Sequence, residues 1–167
     1  MKVITLAVDC GGTGIKASVL DESGDVLIDF PYLKTPYPIS PNLLQTIIKD
    51  FVVADHRINR VTVGLPGMIR NGKVIVIPHY VNHRGPRGIV DPHLKKAWYG
   101  FDMQAALNKK LKLPTLVLND AEIHGASVIT GKGLETVLTF GTGLGCAIFN
   151  DGKLAPHLEI SHATIRY

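Results

Sequence analysis

The sequence is poor in cysteine: Cys10 and Cys146 are its only two among 167 residues. Two thiols exclude a disulfide framework and a four-cysteine zinc site, so a reduced, cytoplasmic protein is the expectation. No run of 18 apolar residues occurs, and no segment is expected to span a membrane. The opening MKVITLAVDCGG has one Lys and a short apolar run interrupted by Asp9, with no clean small-residue cleavage site. It reads as a first strand, not a signal peptide. Charge of one sign is also scarce. Eighteen Lys and Arg against 14 Asp and Glu give +4, without a block of five like charges. Neither a recognition-helix nor a zinc-finger pattern is present, so nucleic acid is not an expected partner. The mild excess suits partners that carry phosphate. The G-x-x-x-x-G-K-[ST] pattern of a P-loop is missing, as are low-complexity tracts and short-period repeats.

What is present is globular. Hydrophobic residues make up 46% and charged residues 19%, which excludes global disorder. A chain of this length buries about 70% of its unfolded surface without staples. VITLAV (3–8), IKASVLD (15–21) and VLIDF (26–30) read as a three-strand antiparallel meander, with turns at DCGGTG and ESGD. A Pro-rich connector (31–41) leads to NLLQTIIKDFVVA (42–54), whose apolar residues fall at helical spacing behind Ser40 and Pro41. Strands are expected at 60–65 and 74–78, with a hairpin signal at Arg70-Asn71-Gly72-Lys73. Residues 79–97 read as irregular and basic, and 101–111 as an amphipathic helix. A strand at 115–120 precedes a helix at 121–130 closed by Gly131. Strands at 135–140 and 146–149 then flank a glycine loop, and Asn150-Asp151-Gly152-Lys153 is a second hairpin signal. The strand–loop–strand of the first residues thus recurs at the end. A first lobe over 1–115 and the beginning of a truncated second lobe over 116–167 are expected.

Two glycine loops between strands are the strongest chemical signal: Asp9-Cys10-Gly11-Gly12-Thr13-Gly14-Ile15-Lys16 and Gly141-Thr142-Gly143-Leu144-Gly145. Glycines let backbone N–H groups converge, and such nests hold phosphate oxygens. Thr13 and Thr142 add hydroxyl donors, Lys16 a positive charge, and Asp9 a carboxylate suited to hydrated Mg²⁺. Two ordinary hairpin turns would use the same glycines. Gly12-x-Gly14-x-x-Ala17 also fits a dinucleotide-binding string, but that motif needs a helix directly afterwards, and the residues that follow alternate. Asn119-Asp120 ends an apolar strand, where a carboxylate points into the ligand crevice of α/β folds. There Asp120 either accepts a hydroxyl proton or merely caps the next helix. Glu159 and His162, with Asn119 and Asp120, form a hydrogen-bonding set of the kind a buried sugar needs; a solvated terminal segment is the alternative. The remaining histidines are expected to be ordinary surface or core residues. Residues 81–100 carry Arg84, Arg87, Lys95 and Lys96 with Asp91 as the one acid. They are either a solvated loop or a track for a repeating anion, bound in a salt-dependent way. Trp98 is expected to pack this loop against the lobe.

DCGGTGIK, GLPGMI, LND at 118–120, LTFGTGLGCAIF and LEISH occur in one order. Together they resemble the ROK sugar kinases of the actin–hexokinase superfamily, and most nearly the polyphosphate-using branch. The resemblance spans residues 1–162 and implies an α/β fold: an actin-like (ribonuclease H-like) lobe with a mixed β-sheet flanked by helices, plus the start of a second. It assigns Asp9, Gly11, Gly12, Thr13 and Lys16 to a first phosphate motif and Thr142, Gly143 and Gly145 to a second. Asp120 matches the catalytic base, Asn119, Glu159 and His162 match hexose ligands, and Gly67 matches a backbone contact to the sugar. Mg²⁺ near Asp9, ATP or polyphosphate as donor, and a homodimer held by a completed C-terminal lobe are further implications. Three departures stand out. Ser161 replaces the usual Gly of the sugar motif, the cysteine cluster that binds zinc in many members is missing, and so is the rest of the C-terminal lobe. Phosphoryl transfer to the 6-hydroxyl of glucose or a related hexose is the implied activity. The competing expectation is a non-catalytic sugar-binding regulator on the same lobe. ROK repressors carry an N-terminal DNA-binding domain, whereas the first strand here starts at once. A dinucleotide-binding module is the third class and would require a helix over 14–28.

Overall fold

The computed structural model describes residues 2–140 and 144–156. Its main sheet has the order β3-β2-β1-β5-β8, with β4 (Leu33–Lys34) also paired to β2. β1 (Thr5–Cys10), β2 (Gly14–Leu20) and β3 (Val26–Asp29) are antiparallel; β5 (Arg60–Leu65) and β8 (Thr115–Asn119) extend the sheet in parallel from β1. This mixed sheet flanked by helices is the expected α/β, actin-like architecture. β8 begins at the position where the sequence reading divides the lobes, and it lies in this first sheet. β1 starts and ends two residues later than expected. Asp9 and Cys10 pair with Lys16 and Ile15, so both belong to the strand and the turn shrinks to residues 11–13.

Strand alternation sorts the core. Leu6, Val8 and Cys10 share a face with Val61 and Val63, and all are buried. α1 (Pro41–Ala54) and α3 (Met103–Leu111) add Leu44, Ile48, Met103 and Leu107 to the same core. Full burial of each such side chain contributes roughly 1.5–3 kcal/mol. The start of α1 is local chemistry. Ser40 Oγ accepts from the Leu43 N–H at 3.2 Å and Pro41 opens the helix, a cap worth about 1 kcal/mol. The hairpin between β6 (Met68–Arg70) and β7 (Lys73–Val76) turns at Asn71 and Gly72, both at positive φ, as its sequence predicts.

Two elements differ from expectation. α2 (Pro92–Trp98) occupies part of the stretch read as irregular. It is only seven residues long and offers too few apolar positions for a periodic signal. Asp91 nevertheless caps it, accepting from the N–H groups of His93 and Leu94 at 2.7 and 3.2 Å. Trp98 closes it, 1% exposed, with Nε1 donating to the Ile39 carbonyl at 2.9 Å and the ring tilted against Tyr80. The packing role expected of Trp98 is therefore observed. α4 (Asp120–Ala126) stops well short of Gly131. The N–H groups of Thr130 and Gly131 bond the Glu135 carboxylate instead, which removes them from the helical ladder.

The second sheet, β11-β10-β9, repeats the antiparallel meander of the first: β9 (Leu134–Phe140), β10 (Leu144–Asn150), β11 (Lys153–Leu154). α4 touches both sheets. Ile123 and Asp120 approach Gly64 of β5, and Gly125 admits Phe149 and Ala147 of β10. No helix among the described residues is long and apolar enough to cross a membrane.

Candidate functional site

Three parallel strands end side by side at the site. Asp9 pairs with Gly64, and Leu65 with Asn119, so the carboxylate of β1 and the acid after β8 flank a position without a side chain. A Cβ on Gly64 would lie 3.3 Å from Asp120 Cα and 3.1 Å from Ile123 Cδ1. Glycine at 64 therefore lets α4 settle against the sheet and leaves the space between Asp9 and Asp120 clear.

Asp120 is not the helix cap. Asn119 is: its Oδ1 accepts from the Ala121 N–H at 2.8 Å, while Glu122 reaches back to the Asn119 N–H at 2.8 Å, a capping box. The Asp120 carboxylate is thereby spared the capping position, although its Oδ1 also accepts from the Ala121 N–H. Burial pushes its pKa above the usual carboxylate range and Asp9 adds to the rise; the Ala121 N–H, at 2.9 Å, and His124 pull against it. Asn119 Nδ2 donates to the Gly67 carbonyl at 2.7 Å. The backbone at Gly67 has φ +117°, and a Cβ there would meet the Val76 carbonyl at 2.2 Å, so only glycine fits. Asn119 and Gly67, both matched to the sugar by the resemblance, are thus bonded to each other, and the second Asn119 amide hydrogen has no acceptor among the described residues.

The first glycine loop is held by its carbonyls. Thr35 Oγ1 donates to Gly11 O at 2.9 Å, Tyr80 OH to Gly11 O at 3.2 Å, Tyr37 OH to Gly12 O at 2.7 Å and Tyr32 OH to Thr13 O at 2.9 Å. The Gly12 and Thr13 N–H groups have no acceptor among the described residues. Acceptors held back with donors left free make an anion nest. Burial raises the Tyr37 phenol to about 12 and pushes Tyr80 well up too, so both remain donors at any ordinary pH. These four hydroxyls escaped sequence reasoning. Three of them, Tyr32, Thr35 and Tyr37, lie in a connector of no evident periodicity, and Tyr80 lies in the stretch read as irregular. Lys16 is exposed and stands opposite Asp9 in the ladder, on the same face.

Thr142, Gly143, Glu159 and His162 lie outside the described residues. Gly145 sits at the base of the second loop. A Cβ there would come within 2.8 Å of Ala121 Cβ, which sets this hairpin against the first turn of α4 beside Asp120. His124, not singled out by the sequence, faces the site: its Nε2 is 3.5 Å from Asp9 Oδ2. Its signal was the spacing of one helical turn from Asp120. Cys10 is buried, and burial with the two nearby carboxylates drives its thiol pKa up, so it is inert packing. No three His, Cys, Asp or Glu side chains converge into a metal cage among the described residues. A partly exposed Asp9 still suits a Mg²⁺ that keeps its water shell and is shared with phosphates.

A mixed sheet with a clamped glycine loop at the carboxyl ends of its parallel strands is the architecture of an actin-like lobe, with its ligand crevice at that edge. The ROK family model matches residues 5–157, and the chain belongs to the ROK family. It is 28% identical over 166 residues to a polyphosphate glucokinase of Mycobacterium tuberculosis, covering 95% of this chain and 57% of that protein. A glucokinase of Streptomyces coelicolor is 30% identical over 159 residues, covering 90% and 45%. The inorganic polyphosphate/ATP-glucomannokinase of Arthrobacter sp. strain KM superposes with a TM-score of 0.75 at 30% identity, over 98% of this chain and 64% of that one. The chain thus spans about half the length of the curated relatives it matches.

Proposed function

We propose that this chain serves phosphoryl transfer from polyphosphate or ATP to the 6-hydroxyl of glucose or a related hexose. The observation that carries the reading is Asp120: a desolvated carboxylate, freed from capping by Asn119, beside Asp9 over the bare Gly64. In this reading Asp120 takes the proton of the sugar hydroxyl as its oxygen bonds to the terminal phosphorus, and the bridging oxygen leaves with the rest of the donor. The N–H groups of Gly12 and Thr13 bind oxygens of the donor, and Lys16 supplies positive charge. Bound through water at Asp9, Mg²⁺ supplies neutralisation of the phosphate charge. Asn119, Glu159 and His162 hold the sugar hydroxyls, with the Gly67 backbone beside them. The donors and sugars named for the relatives support this substrate class. A homodimer belongs to the same reading and is checked by sedimentation.

The test is a coupled assay of the purified chain with glucose and Mg²⁺, run in parallel with ATP and polyphosphate. Product is expected, and Asp120→Asn should lower turnover by about 10²–10⁴-fold while sugar still binds calorimetrically. Near-normal turnover in that variant refutes the base assignment. Sugar binding without product from either donor supports the regulator reading instead.

A further inference from the structure

Loop residues 79–91 play no part in that mechanism, yet they lean on the first glycine loop. A Cβ on Gly12 would lie 2.9 Å from His79 Cδ2 and 3.4 Å from Pro86 Cγ. Tyr37 joins the two loops. Its hydroxyl donates to Gly12 O at 2.7 Å, and its ring stands 2.9 Å from where a Gly85 Cβ would be. On the other side of Tyr37 opens a pocket of about 730 Å³, lined also by His83, Arg84, Arg87, Gly88 and Ile89.

The charge in this pocket is uncompensated. Arg84 and Arg87 are exposed and form no ion pair among the described residues. Asp91, the one acid of the stretch, is already engaged by His83 Nε2 at 3.1 Å and by the α2 cap bonds. The loop has a defined shape. Gly88 N–H and Asn82 Nδ2 both donate to the Gly85 carbonyl, at 2.9 and 3.1 Å, and Arg87 is held at φ +65°. The basic stretch therefore divides. Lys95 and Lys96 sit in the last turn of α2, and Lys95 borders a different, apolar hollow with Trp98 and Tyr99.

We propose that Arg84 and Arg87, in the pocket walled by Tyr37, form a second anion site for the distal phosphates of an inorganic polyphosphate chain whose terminal phosphate lies at Gly12 and Thr13. The position of that terminal phosphate rests on the function proposed above. The guanidinium fork matches paired phosphate oxygens, and a shared tyrosine makes the two sites neighbours. A chain donor still offers charged oxygens beyond its third phosphate; a nucleoside triphosphate does not. The pocket thus discriminates by donor length.

The test is binding, read by calorimetry with long-chain polyphosphate and with tripolyphosphate at several salt concentrations. In the Arg84→Gln/Arg87→Gln variant, long-chain affinity should fall about tenfold or more, and the slope of log K against log salt should flatten by about two. Tripolyphosphate affinity should stay unchanged. The Lys95→Gln/Lys96→Gln variant, which removes the same charge, should bind both ligands as the parent does. Circular dichroism verifies that each variant folds. Lack of long-chain binding by the parent, equal losses for both ligands, or equal losses in the two variants each overturn the proposal. Phosphorylation is not read. A chain that phosphorylates no sugar but shows this pattern keeps the anion site and loses the kinase reading.

Discussion

His124 Nε2 stands 3.5 Å from Asp9 Oδ2, one helical turn beyond Asp120. A single imidazole therefore ties the end of β1 to the helix that begins with the other acid. It faces Asp9 directly and acts on Asp120 through charge, opposing the rise that burial and Asp9 impose.

Replacing His124 by Ala should move the Asp120 titration to still higher pH, because the imidazole that favours its charged form is gone. Carbon-13 NMR of labelled aspartate reads this directly. A midpoint that stays in place or falls contradicts the coupling.

Asp120 should cost stability at neutral pH. Its folded pKa lies above the unfolded value, so the native state binds more protons between the two, and stability declines as pH rises through that window. Asp120→Asn is expected to raise the melting temperature at neutral pH, with the gain vanishing below the ordinary carboxylate range. Equal melting curves for both proteins at all pH values would count against a desolvated carboxylate.

Tyr37→Phe removes the donor to the Gly12 carbonyl and leaves the ring in place. A hydrogen bond of this kind has a net worth of about 0.5–1.5 kcal/mol, so tripolyphosphate affinity should fall by about two- to tenfold. Unchanged affinity in calorimetry would mean that the clamp does not shape the anion nest.

Gly67→Ala places a methyl against the Val76 carbonyl at a left-handed backbone position. A loss of about 1–3 kcal/mol is expected in chemical denaturation. The Asn119 amide, which donates to the Gly67 carbonyl, should be disturbed with it, visible as a shifted side-chain NH₂ resonance.

Much of the fold was legible because its signals are local. Ser40-Pro41 marks the start of α1, and Asn71-Gly72 the β6–β7 turn, within four residues each. Lone features at longer range were not. The strand end at Asp9 depends on its ladder to Lys16 and Gly64, which a window over residues 3–12 does not contain. Asn119-Asp120 was recognised as a pair, yet the division of labour inside it follows from Glu122 and from Gly67, 52 residues upstream. The tyrosine clamp is harder still: Tyr80 reaches Gly11 across 69 residues, and nothing in either neighbourhood announces it.

α4 is wedged into both sheets, through Gly64 on one side and through Gly125 against Phe149 on the other. Its first residue is Asp120. The seating of this short rod against Gly64 and Phe149 therefore fixes where the acid stands relative to Asp9, and the two hairpins share one support for the spacing of the carboxylates.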